Sequence, residues 1–429
     1  MRSDPQMALD LGRNSRAAEV VRHRFSSDGD LARRTVVRST GPAHRTKQTM
    51  YGDVAGMTPD EAFDLSWLRT PTKPRYRQKR SHVLRLADLF CGAGGMTLGA
   101  IEAGRAAGIT VEPVLGADIS PHVRRAYHKN FEPQFFQDSP IEEWLDGRLG
   151  QPVTPTEAEL LQRCGPIDLL MGGPPCQGHS NLNNHTRRDD PKNQLYERMG
   201  RFAEVFSPTH VVIENVHGVL HDRGKVVQRT AAFLRHLGYS VRIGTLHGDR
   251  VGVPQSRNRV FLVASLSRTP DVDSWERLHT TPARSFDWAC SDLPREGSGV
   301  MDRKTVAERE TKRRIDFLFD RGVWELPDSE RPPCHRDNDH RYGSVYGRIR
   351  GERPSPTITT GFTVMGQGRF VHPHYRRTLT PREGARLQFF PNWFRFADGE
   401  QAAKKHLVTL IGNAVPPKMA YVLALELIR

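Results

Sequence analysis

The chain of 429 residues contains little cysteine and no long uninterrupted apolar run. Its five cysteines are odd in number, widely spaced and free of Cys-x-x-Cys pairs, which argues against a disulfide framework and favours reduced thiols. No stretch approaches the roughly 18 apolar residues of a membrane span, and Met1 to Asp10 lacks the apolar core of a secretory signal. We therefore expect a soluble, cytoplasmic protein in which one cysteine is available as a nucleophile.

Potential metal ligands at suitable spacing are few, and acidic residues are fewer than basic ones. Cys334, His335 and His340 provide too few ligands at workable spacing, so we expect no metal. The 63 Lys and Arg residues outnumber the 49 Asp and Glu residues, which gives a net charge of +14 and a surface that attracts polyanions. Nucleic acid is the leading partner, with an unengaged basic surface as the alternative.

Three stretches of the chain differ in pattern. Residues 1–80 carry 16 Lys and Arg against 9 Asp and Glu with little periodicity, and we interpret them as a loosely structured, flexible basic extension that either touches phosphates or is a solvated tail. Between residues 81 and 265, strand-like and helical stretches alternate, which predicts parallel pairing in a doubly wound α/β sheet. Residues 268–370 are polar and irregular, with short β-like pieces such as Thr357–Thr360, which indicates a smaller inserted domain.

Apolar periodicity places the individual elements. The predicted strands are His82–Phe90, Val111–Ala117, Ile167–Met171, His210–Ile213, Ser240–Leu246 and Val260–Ser265. The predicted helices are Met96–Ala107, Pro121–Asn130, Gln194–Phe206 and Val226–Leu237, followed by a capped helix at Thr380-Pro381-Arg382-Glu383 and a last helix at Lys418–Ile428.

Glycines cluster where the first predicted strand turns into a helix, at Gly92-Ala93-Gly94-Gly95. Glycine lets the backbone approach a ligand, and a helix N-terminus offers unpaired N–H groups, although such a turn also occurs for packing alone. Asp118 ends the next strand, where a carboxylate can accept hydrogen bonds from ribose hydroxyls. Asp138 can similarly accept from an adenine amino group. For each aspartate, a helix cap or turn is the alternative.

Cys176 follows the predicted strand Ile167–Met171 on a loop that Pro174 and Pro175 stiffen. The carboxyl end of a central strand is where α/β sheets bind ligands, and a thiolate there is a good nucleophile. Cys91 lies in the glycine turn, where a small residue suffices for packing.

A carboxylate and two arginines follow or precede later strands. Glu214 comes directly after Val211 to Ile213 and can donate a proton or hydrogen bond to a heterocycle, or serve as a cap. Arg257 and Arg259 alternate before a strand, so their guanidinium groups share one side and suit a phosphate or a base oxygen, or surface salt bridges.

Together these motifs resemble the DNA cytosine-5 methyltransferase family, and the matching blocks lie between Ser81 and Arg429. The blocks are DLFCGAGGMTLG (Asp88–Gly99), GGPPCQGHS (Gly172–Ser180), ENV (Glu214–Val216), QSRNRVFLVA (Gln255–Ala264), LTPREGARLQFFP (Leu379–Pro391) and IGNAVPP (Ile411–Pro417). The order of the proline-cysteine-glutamine loop, ENV and QxRxR makes the resemblance very specific.

The resemblance implies a Rossmann-like, S-adenosylmethionine-dependent methyltransferase fold. It implies a catalytic domain at residues 81–265, completed by 402–429, and a smaller, mostly β target-recognition domain at 266–401. The Cys176 thiolate would add to carbon 6 of a flipped cytosine, so that carbon 5 takes the methyl group. Glu214 would hold or protonate ring nitrogen 3, and Arg259 would bind the ring oxygen. Arg257, in the same motif, is also assigned to the catalytic residues.

The resemblance also assigns binding residues. The implied contacts to S-adenosylmethionine are Phe90, Gly92, Gly94, Gly95, Asp118, Ile119, Asp138, Pro174, Asn413 and Ala414. The implied DNA contacts on the loop that closes over the flipped base are Gln177, Ser180, Arg187, Arg188 and Lys192. His179 stands where the family often has Phe, and residues before Ser81 have no family counterpart that we can match.

The implied partner is double-stranded DNA, with or without a cognate restriction endonuclease that acts separately. We expect a monomer of the bacterial restriction-modification or solitary type, without membrane contact. Two rival interpretations are a tRNA cytosine methyltransferase and a catalytically dead DNA-binding regulator. Methyl transfer to DNA against tRNA separates the first, and retention of Cys176, Glu214 and both arginines argues against the second.

Overall fold

The computed structural model describes residues 22–37, 43–74, 83–175, 195–221, 224–277, 279–336, 345–396 and 403–428. The first of these segments form a three-stranded antiparallel sheet and a helix. They are β1 (Arg22–Asp28), β2 (Leu31–Val37), β3 (His44–Thr49) and α1 (Pro59–Arg69). Asp28 pairs with Leu31 across a two-residue Gly-Asp turn, a common hairpin connection. Thr58 and Glu61 form a capping box at the start of α1.

The expectation of a loosely structured extension is therefore wrong for the described residues between 22 and 74. The inward face of β2 includes Arg34, and this charged residue hid the period-two pattern of a half-buried strand. Arg34 is 3% exposed, donates to the carboxylate of Glu102, and stacks between the rings of Phe63 and Tyr421. The buried ion pair between Arg34 and Glu102 thus attaches the three-stranded sheet to the part of the chain that follows it.

A seven-stranded sheet forms the main body. Its strands are β4 (Val83–Leu89), β5 (Thr110–Ala117), β6 (Phe135–Gln137), β7 (Leu169–Gly172), β8 (His210–Asn215), β9 (Ser240–His247) and β11 (Asn258–Ser265), after the short β10 (Gln255–Ser256). Their order is β6-β5-β4-β7-β8-β11-β9. The helices are α2 (Gly95–Ala107), α3 (Pro121–Phe131), α4 (Ile141–Trp144), α5 (Pro155–Cys164), α6 (Leu195–Phe206) and α7 (Val226–His236).

Alternate residues of the central strands enter two separate hydrophobic clusters. Val212 and Phe261 belong to one cluster, whereas Val211, Ile213 and Leu262 belong to the other. Because successive side chains of a strand point to opposite faces, both faces of the sheet are covered. This is the predicted doubly wound architecture.

One strand departs from the predicted parallel pairing. β11 runs antiparallel to both β8 and β9. Only residues 248–257 separate β9 from β11, and a parallel connection needs a crossover of about a dozen residues or more, usually through a helix. The short connection therefore reverses the strand.

The segment after Ser265 is mainly helical and irregular, so the expectation of a mostly β domain is wrong for its described residues. Its elements are α8 (Val272–Arg277), α9 (Phe286–Cys290), α10 (Arg309–Asp320), α11 (Pro333–Arg336), β12 (Ser355–Pro356) and α12 (Pro381–Leu387). Thr357–Thr360 is not a strand; the strand ends at Pro356 after pairing with β10. α10 buries Ile315 and Leu318, three residues apart as one face of a helix requires.

The last two helices complete the main body. They are α13 (Lys404–Asn413) and α14 (Pro417–Ile428), and the second packs against α2. Within the described residues, Lys404–Ile428 is the one stretch apolar and long enough to cross a membrane, but 83% of its apolar window is buried inside the protein. The capped helix predicted at Thr380 and the last helix predicted at Lys418–Ile428 are both confirmed.

Candidate functional site

A cavity of about 830 Å³ opens at the carboxyl ends of β4, β5, β7 and β8. The chain order reverses between β4 and β7, and this switch point is where open α/β sheets bind their ligands. The predicted site residues that line the cavity are Phe90, Gly92, Asp118, Ile119, Pro174, Glu214, Arg257, Arg259 and Asn413.

Asp118 anchors the glycine turn on one side of the cavity. Its two carboxylate oxygens accept hydrogen bonds from the backbone N–H groups of Gly92 at 3.2 Å and Ser120 at 2.9 Å. Burial raises the pKa of Asp118, although these two N–H groups oppose the shift. Phe90 adopts a φ of 55°, a left-handed conformation that costs energy in a residue with a side chain and often marks a functional turn.

Beside Asp118, the side chain of Ile119 is 70% exposed on the cavity wall. An exposed large apolar side chain next to a carboxylate gives this wall one flat hydrophobic part and one hydrogen-bond acceptor. Such a surface suits a planar heterocycle that carries hydroxyl groups.

Four predicted cofactor residues do not line the cavity. Gly94 and Gly95 leave no room for a Cβ, because the ring of Phe131 and the carbonyl oxygen of Val415 lie against them. Asp138 is half-exposed and forms an ion pair with Arg124. Ala414 is buried, and its carbonyl accepts a hydrogen bond from Gln388 at 3.2 Å.

Glu214 and Arg259 form an ion pair on the opposite wall, with Nε of Arg259 2.8 Å from Oε1 of Glu214. Their side chains are only 12% and 14% exposed, so solvent screens the pair weakly. β8 ends where the antiparallel β11 begins, and this places both side chains at the same edge of the sheet. The pair fixes the direction in which the carboxylate faces the cavity.

The Pro174-Pro175 loop lies directly against this ion pair. A Cβ on Gly173 would lie 3.2 Å from Oε2 of Glu214, which leaves almost no space for a larger residue. The side-chain amide of Asn215 approaches the carbonyl oxygen of Pro174 at 3.5 Å. The loop that precedes residue 176 is therefore held beside Glu214.

Arg257 is 3% exposed, and its Nη1 donates to the carbonyl oxygen of Ile358 at 3.1 Å. β10 pairs in parallel with β12 just before this contact. The residues after β12, Ile358 to Thr360, line the cavity as a result.

Cys176 lies outside the described residues, as do the predicted DNA contacts Gln177, Ser180, Arg187, Arg188 and Lys192. Pro175, its neighbour in the chain, lines the cavity. Three other cysteines are buried, and burial raises the pKa of the Cys91 and Cys290 thiols well above their usual range and that of Cys164 to about 11. A raised thiol pKa makes those three poor nucleophiles at neutral pH.

Comparison with known proteins follows the same lines. The family model for C-5 cytosine-specific DNA methylases matches residues 84–429. The chain belongs to this family. It is a DNA (cytosine-5-)-methyltransferase that acts on DNA. The type II methyltransferase M1.BsuMI of Bacillus subtilis is 41% identical over 408 residues, which are 94% of this chain and 95% of that protein. The type II methylase M.HgiDII of Herpetosiphon aurantiacus is 32% identical over 79% of this chain and 93% of that protein.

Solved structures support the fold of the methyltransferase. A DNA modification methyltransferase from an E. coli prophage has a TM-score of 0.56 at 22% identity, covering 80% of this chain and 98% of that one. The S. pombe Dnmt2 methyltransferase has a TM-score of 0.52 at 20% identity, with the same coverage. At these identities the likeness extends to the fold alone.

Sequence reasoning missed several residues of the methyltransferase site. His122 and His406 stack at 3.5 Å between ring centroids on the cavity rim, and Gln388 lies buried behind it. His122 follows Asp118 by four residues and Gln388 interrupts an apolar run, so both left a signal in the sequence. His406 left none. Within the described part of the chain, no three His, Cys, Asp or Glu side chains lie close enough to hold a metal ion.

Proposed function

We propose that this enzyme transfers a methyl group from S-adenosylmethionine to carbon 5 of a cytosine flipped out of duplex DNA, with the Cys176 thiolate as a transient nucleophile. The observation that carries the proposal is the Glu214–Arg259 ion pair, which faces the same cavity as Asp118 and lies against the loop that leads into Cys176. One cavity thus holds groups suited to a nucleoside and groups suited to a second heterocycle.

The donor site fits the residues present. Asp118 would accept the ribose hydroxyls with its remaining lone pairs, and the exposed face of Ile119 would pack on the adenine. The rest of this part of the cavity is lined by Phe90, Gly92, Pro174 and Asn413. When bound, S-adenosylmethionine supplies an electrophilic methyl group.

The other predicted cofactor residues, apart from Asp138, would act indirectly, by shaping the backbone around the donor site. Gly94 and Gly95 allow close packing of Phe131 and of the turn before α14, which shapes the glycine turn. Ala414 belongs to the same turn as Asn413. Asp138 would reach an adenine amino group only after release from Arg124.

The base site would work through developing charge. As the sulfur–carbon 6 bond forms, an electron pair moves through the ring toward nitrogen 3, and a proton taken up there would be shared with the Glu214 carboxylate. Arg259 bonds to the other side of the same carboxyl group and would donate from its guanidinium group to the ring oxygen. After carbon 5 has accepted the methyl group, a base takes the carbon 5 proton, the carbon–sulfur bond breaks and the proton at nitrogen 3 is released, which restores the thiolate and the neutral aromatic ring.

Arg257 would position rather than touch the base. Its buried guanidinium group holds the carbonyl of Ile358, so it fixes the loop that carries Thr359 and Thr360 along the cavity. Cytosine cannot reach this cavity while it is stacked in a duplex, so it must flip out. Flipping costs a few kcal/mol, which contacts in the closed site must offset.

The remaining contacts to DNA are predicted from the sequence for two segments. Gln177, Ser180, Arg187, Arg188 and Lys192 would close over the flipped base, and residues 266–401 would recognise the target sequence. We propose a cytoplasmic monomer that belongs to a restriction-modification system, with any cognate endonuclease acting separately. The type II names of the similar proteins support this assignment.

A covalent trap tests the proposal. Bisulfite sequencing of DNA from cells that express the enzyme first gives the target sequence. A duplex with 5-fluorocytosine at that position should then form a denaturant-resistant adduct with the wild-type enzyme in the presence of S-adenosylmethionine, because fluorine cannot leave as the proton does.

Cys176→Ser should form no adduct, and Cys164→Ala, which alters a buried cysteine that does not line the cavity, should form it normally. An adduct with Cys176→Ser, or its absence with the wild-type enzyme, contradicts the proposed chemistry.

A further inference from the structure

The outward face of the N-terminal sheet carries a group of basic side chains. Register pairs Thr35 of β2 with Arg24 of β1 and Arg45 of β3, and it pairs Arg33 with Ser26 and Lys47. Residues in register share one face, so four cations lie together on it, and we call them the N-terminal basic face: Arg24, Arg33, Arg45 and Lys47. The opposite face of β2 is buried against the main body.

Most of these charges are not neutralised by the protein. Arg24, Arg45 and Lys47 are exposed and have no carboxylate partner within the described segments, whereas Arg33 pairs with Asp28 at 2.6 Å. Because neighbouring strands are about 4.8 Å apart, Arg24 and Arg45 lie roughly 10 Å from each other. This distance is close to the width of a DNA major groove. Short hydroxyl side chains fill the space between the cations.

A second cavity, of about 1060 Å³, continues this face. Arg45 and Lys47 line one wall, and Lys73 lines another, where its Nζ donates to the carbonyl oxygen of Asn130 at 2.6 Å. Glu132 is the one carboxylate among the residues that line this cavity. The sequence beyond Pro74 continues with Arg75, Arg77, Lys79 and Arg80.

The N-terminal basic face lies away from the catalytic cavity. The second cavity is lined by Gly108 to Val111, where β5 begins, and the catalytic cavity is lined by Ala117 to Ser120, where β5 ends. Eight residues of strand separate the two ends by roughly 25 Å. A duplex whose base enters the catalytic cavity at one edge of the sheet therefore reaches the second cavity only if it bends around the protein to the opposite edge.

We propose that the N-terminal basic face binds the sugar-phosphate backbone of a second stretch of duplex DNA while the catalytic cavity engages its target. Lys and Arg with interspersed hydroxyl groups suit phosphates without reading sequence. The face offers few aromatic or large apolar side chains, which a protein partner would need at the centre of an interface. Long DNA presents such second stretches at high effective concentration, so the face raises the residence of the enzyme on DNA.

A bridging experiment tests this proposal on the full chain. A random-sequence 40-bp duplex is fixed to beads, and capture of a second, fluorescent duplex is measured with the wild-type enzyme and with the combined variant Arg24→Gln, Arg45→Gln and Lys47→Gln. The wild-type enzyme should bridge the two duplexes, and the variant should capture about tenfold less. Its plot of log affinity against log salt should be shallower by about 2 to 3, because each lost phosphate contact removes about 0.9.

Controls separate a specific surface from net charge and from misfolding. A combined variant with Lys225→Gln just before α7, Arg235→Gln in α7 and Arg242→Gln in β9 removes the same charge from exposed positions and should bridge as the wild type does. Arg24→Lys with Arg45→Lys keeps the charge and should retain bridging. Methyl transfer to a short duplex should be unchanged in every variant, which shows that the catalytic site is intact.

Three outcomes would overturn the proposal. In the first, the variant with three Gln substitutions bridges the duplexes as well as the wild type does. In the second, the control variant with substitutions around α7 and in β9 loses as much bridging as that variant. In the third, polyglutamate displaces the second duplex as effectively as DNA of the same charge. The last outcome would assign the face to an acidic polypeptide.

Discussion

Gln255 and Gln388 join their side-chain amides inside the protein, where Nε2 of Gln255 donates to Oε1 of Gln388 at 2.7 Å. Both side chains are fully buried. Gln255 also accepts the N–H of Ile358 at 3.0 Å, and Gln388 donates to the carbonyl oxygen of Ile411 at 2.7 Å. One hydrogen-bonded chain thus connects the strand before Arg257, the loop along the cavity and the turn that carries Asn413.

Replacing Gln388 with Met keeps most of the volume and removes every polar atom of the side chain. Gln255 and the carbonyls of Ile411 and Ala414 then lose a partner in a buried place, so we expect the free energy of unfolding to fall by about 2 to 4 kcal/mol. Urea unfolding measures this loss. Gln228→Met, at an exposed position of α7, should change it by less than about 0.5 kcal/mol.

Glu214→Gln removes the charge that pairs with Arg259 and keeps the shape of the side chain. The proposed proton at ring nitrogen 3 loses its holder, and a weakly exposed guanidinium group loses its partner, so methyl transfer should fall at least 100-fold. Transfer of labelled methyl groups to DNA measures it, with Glu143→Gln on the exposed face of α4 as the control. Retention of a tenth or more of the activity in Glu214→Gln would rule out the proposed proton transfer.

The sequence predicts the convergence of Asp118 and Glu214 for a physical reason. Parallel strands present their carboxyl ends at one edge, and both residues follow such strands. Arg259 joins them although β11 is antiparallel, because the beginning of an antiparallel strand lies at the same edge as the ends of its neighbours. The predicted direction of β11 was wrong, but Arg259 still lies at the predicted edge of the sheet.

Other features depend on contacts between distant segments and leave little local pattern. Arg34 is an inward residue of a strand only because Glu102 and two aromatic rings receive it, and propensity alone reads an arginine as exposed. The segment after Ser265 lacks the alternation of a β domain. It shares the main hydrophobic cluster through Phe286 and Phe362, and a small separate cluster includes Ile315, Leu318 and Val371. Polar composition there indicated irregular structure but not its helices.

Two glycines allow a matched test of the loop before Cys176. Gly173→Ala places a methyl group 3.2 Å from Oε2 of Glu214, so the loop or the carboxylate must shift by a few tenths of an ångström. We expect a fall in methyl transfer of about tenfold with little change in stability, since such small displacements at a reacting centre are costly. Gly200→Ala in α6 meets ordinary contacts from 3.5 Å and should raise the free energy of unfolding by about 0.5 to 1 kcal/mol without loss of activity. Equal activity of the two variants would contradict this account of the loop.

Asp88 should make the stability of the enzyme depend on pH in an unusual direction. Burial raises the pKa of Asp88 from 3.8 to about 7, and neighbouring Asp118 adds to the shift, while the hydroxyl of Thr97, 2.6 Å away, opposes it. The folded protein keeps this proton up to about pH 7, whereas the unfolded chain releases it near pH 3.8. Between these values the folded state binds more protons, so the contribution of Asp88 to the free energy of unfolding decreases as pH rises and is lost above about pH 7.

Asp88→Asn imitates the protonated acid at every pH and isolates this effect. The free energy of unfolding of the wild type minus that of Asp88→Asn should fall by up to about 4 kcal/mol between pH 4 and pH 8, since one pKa unit corresponds to about 1.36 kcal/mol. Urea unfolding of both proteins across this range measures the difference. A difference that stays constant with pH would mean that Asp88 is already ionised in the folded enzyme, and a carboxylate without a cation would then have to be stabilised beneath the glycine turn by Thr97 alone among the described side chains.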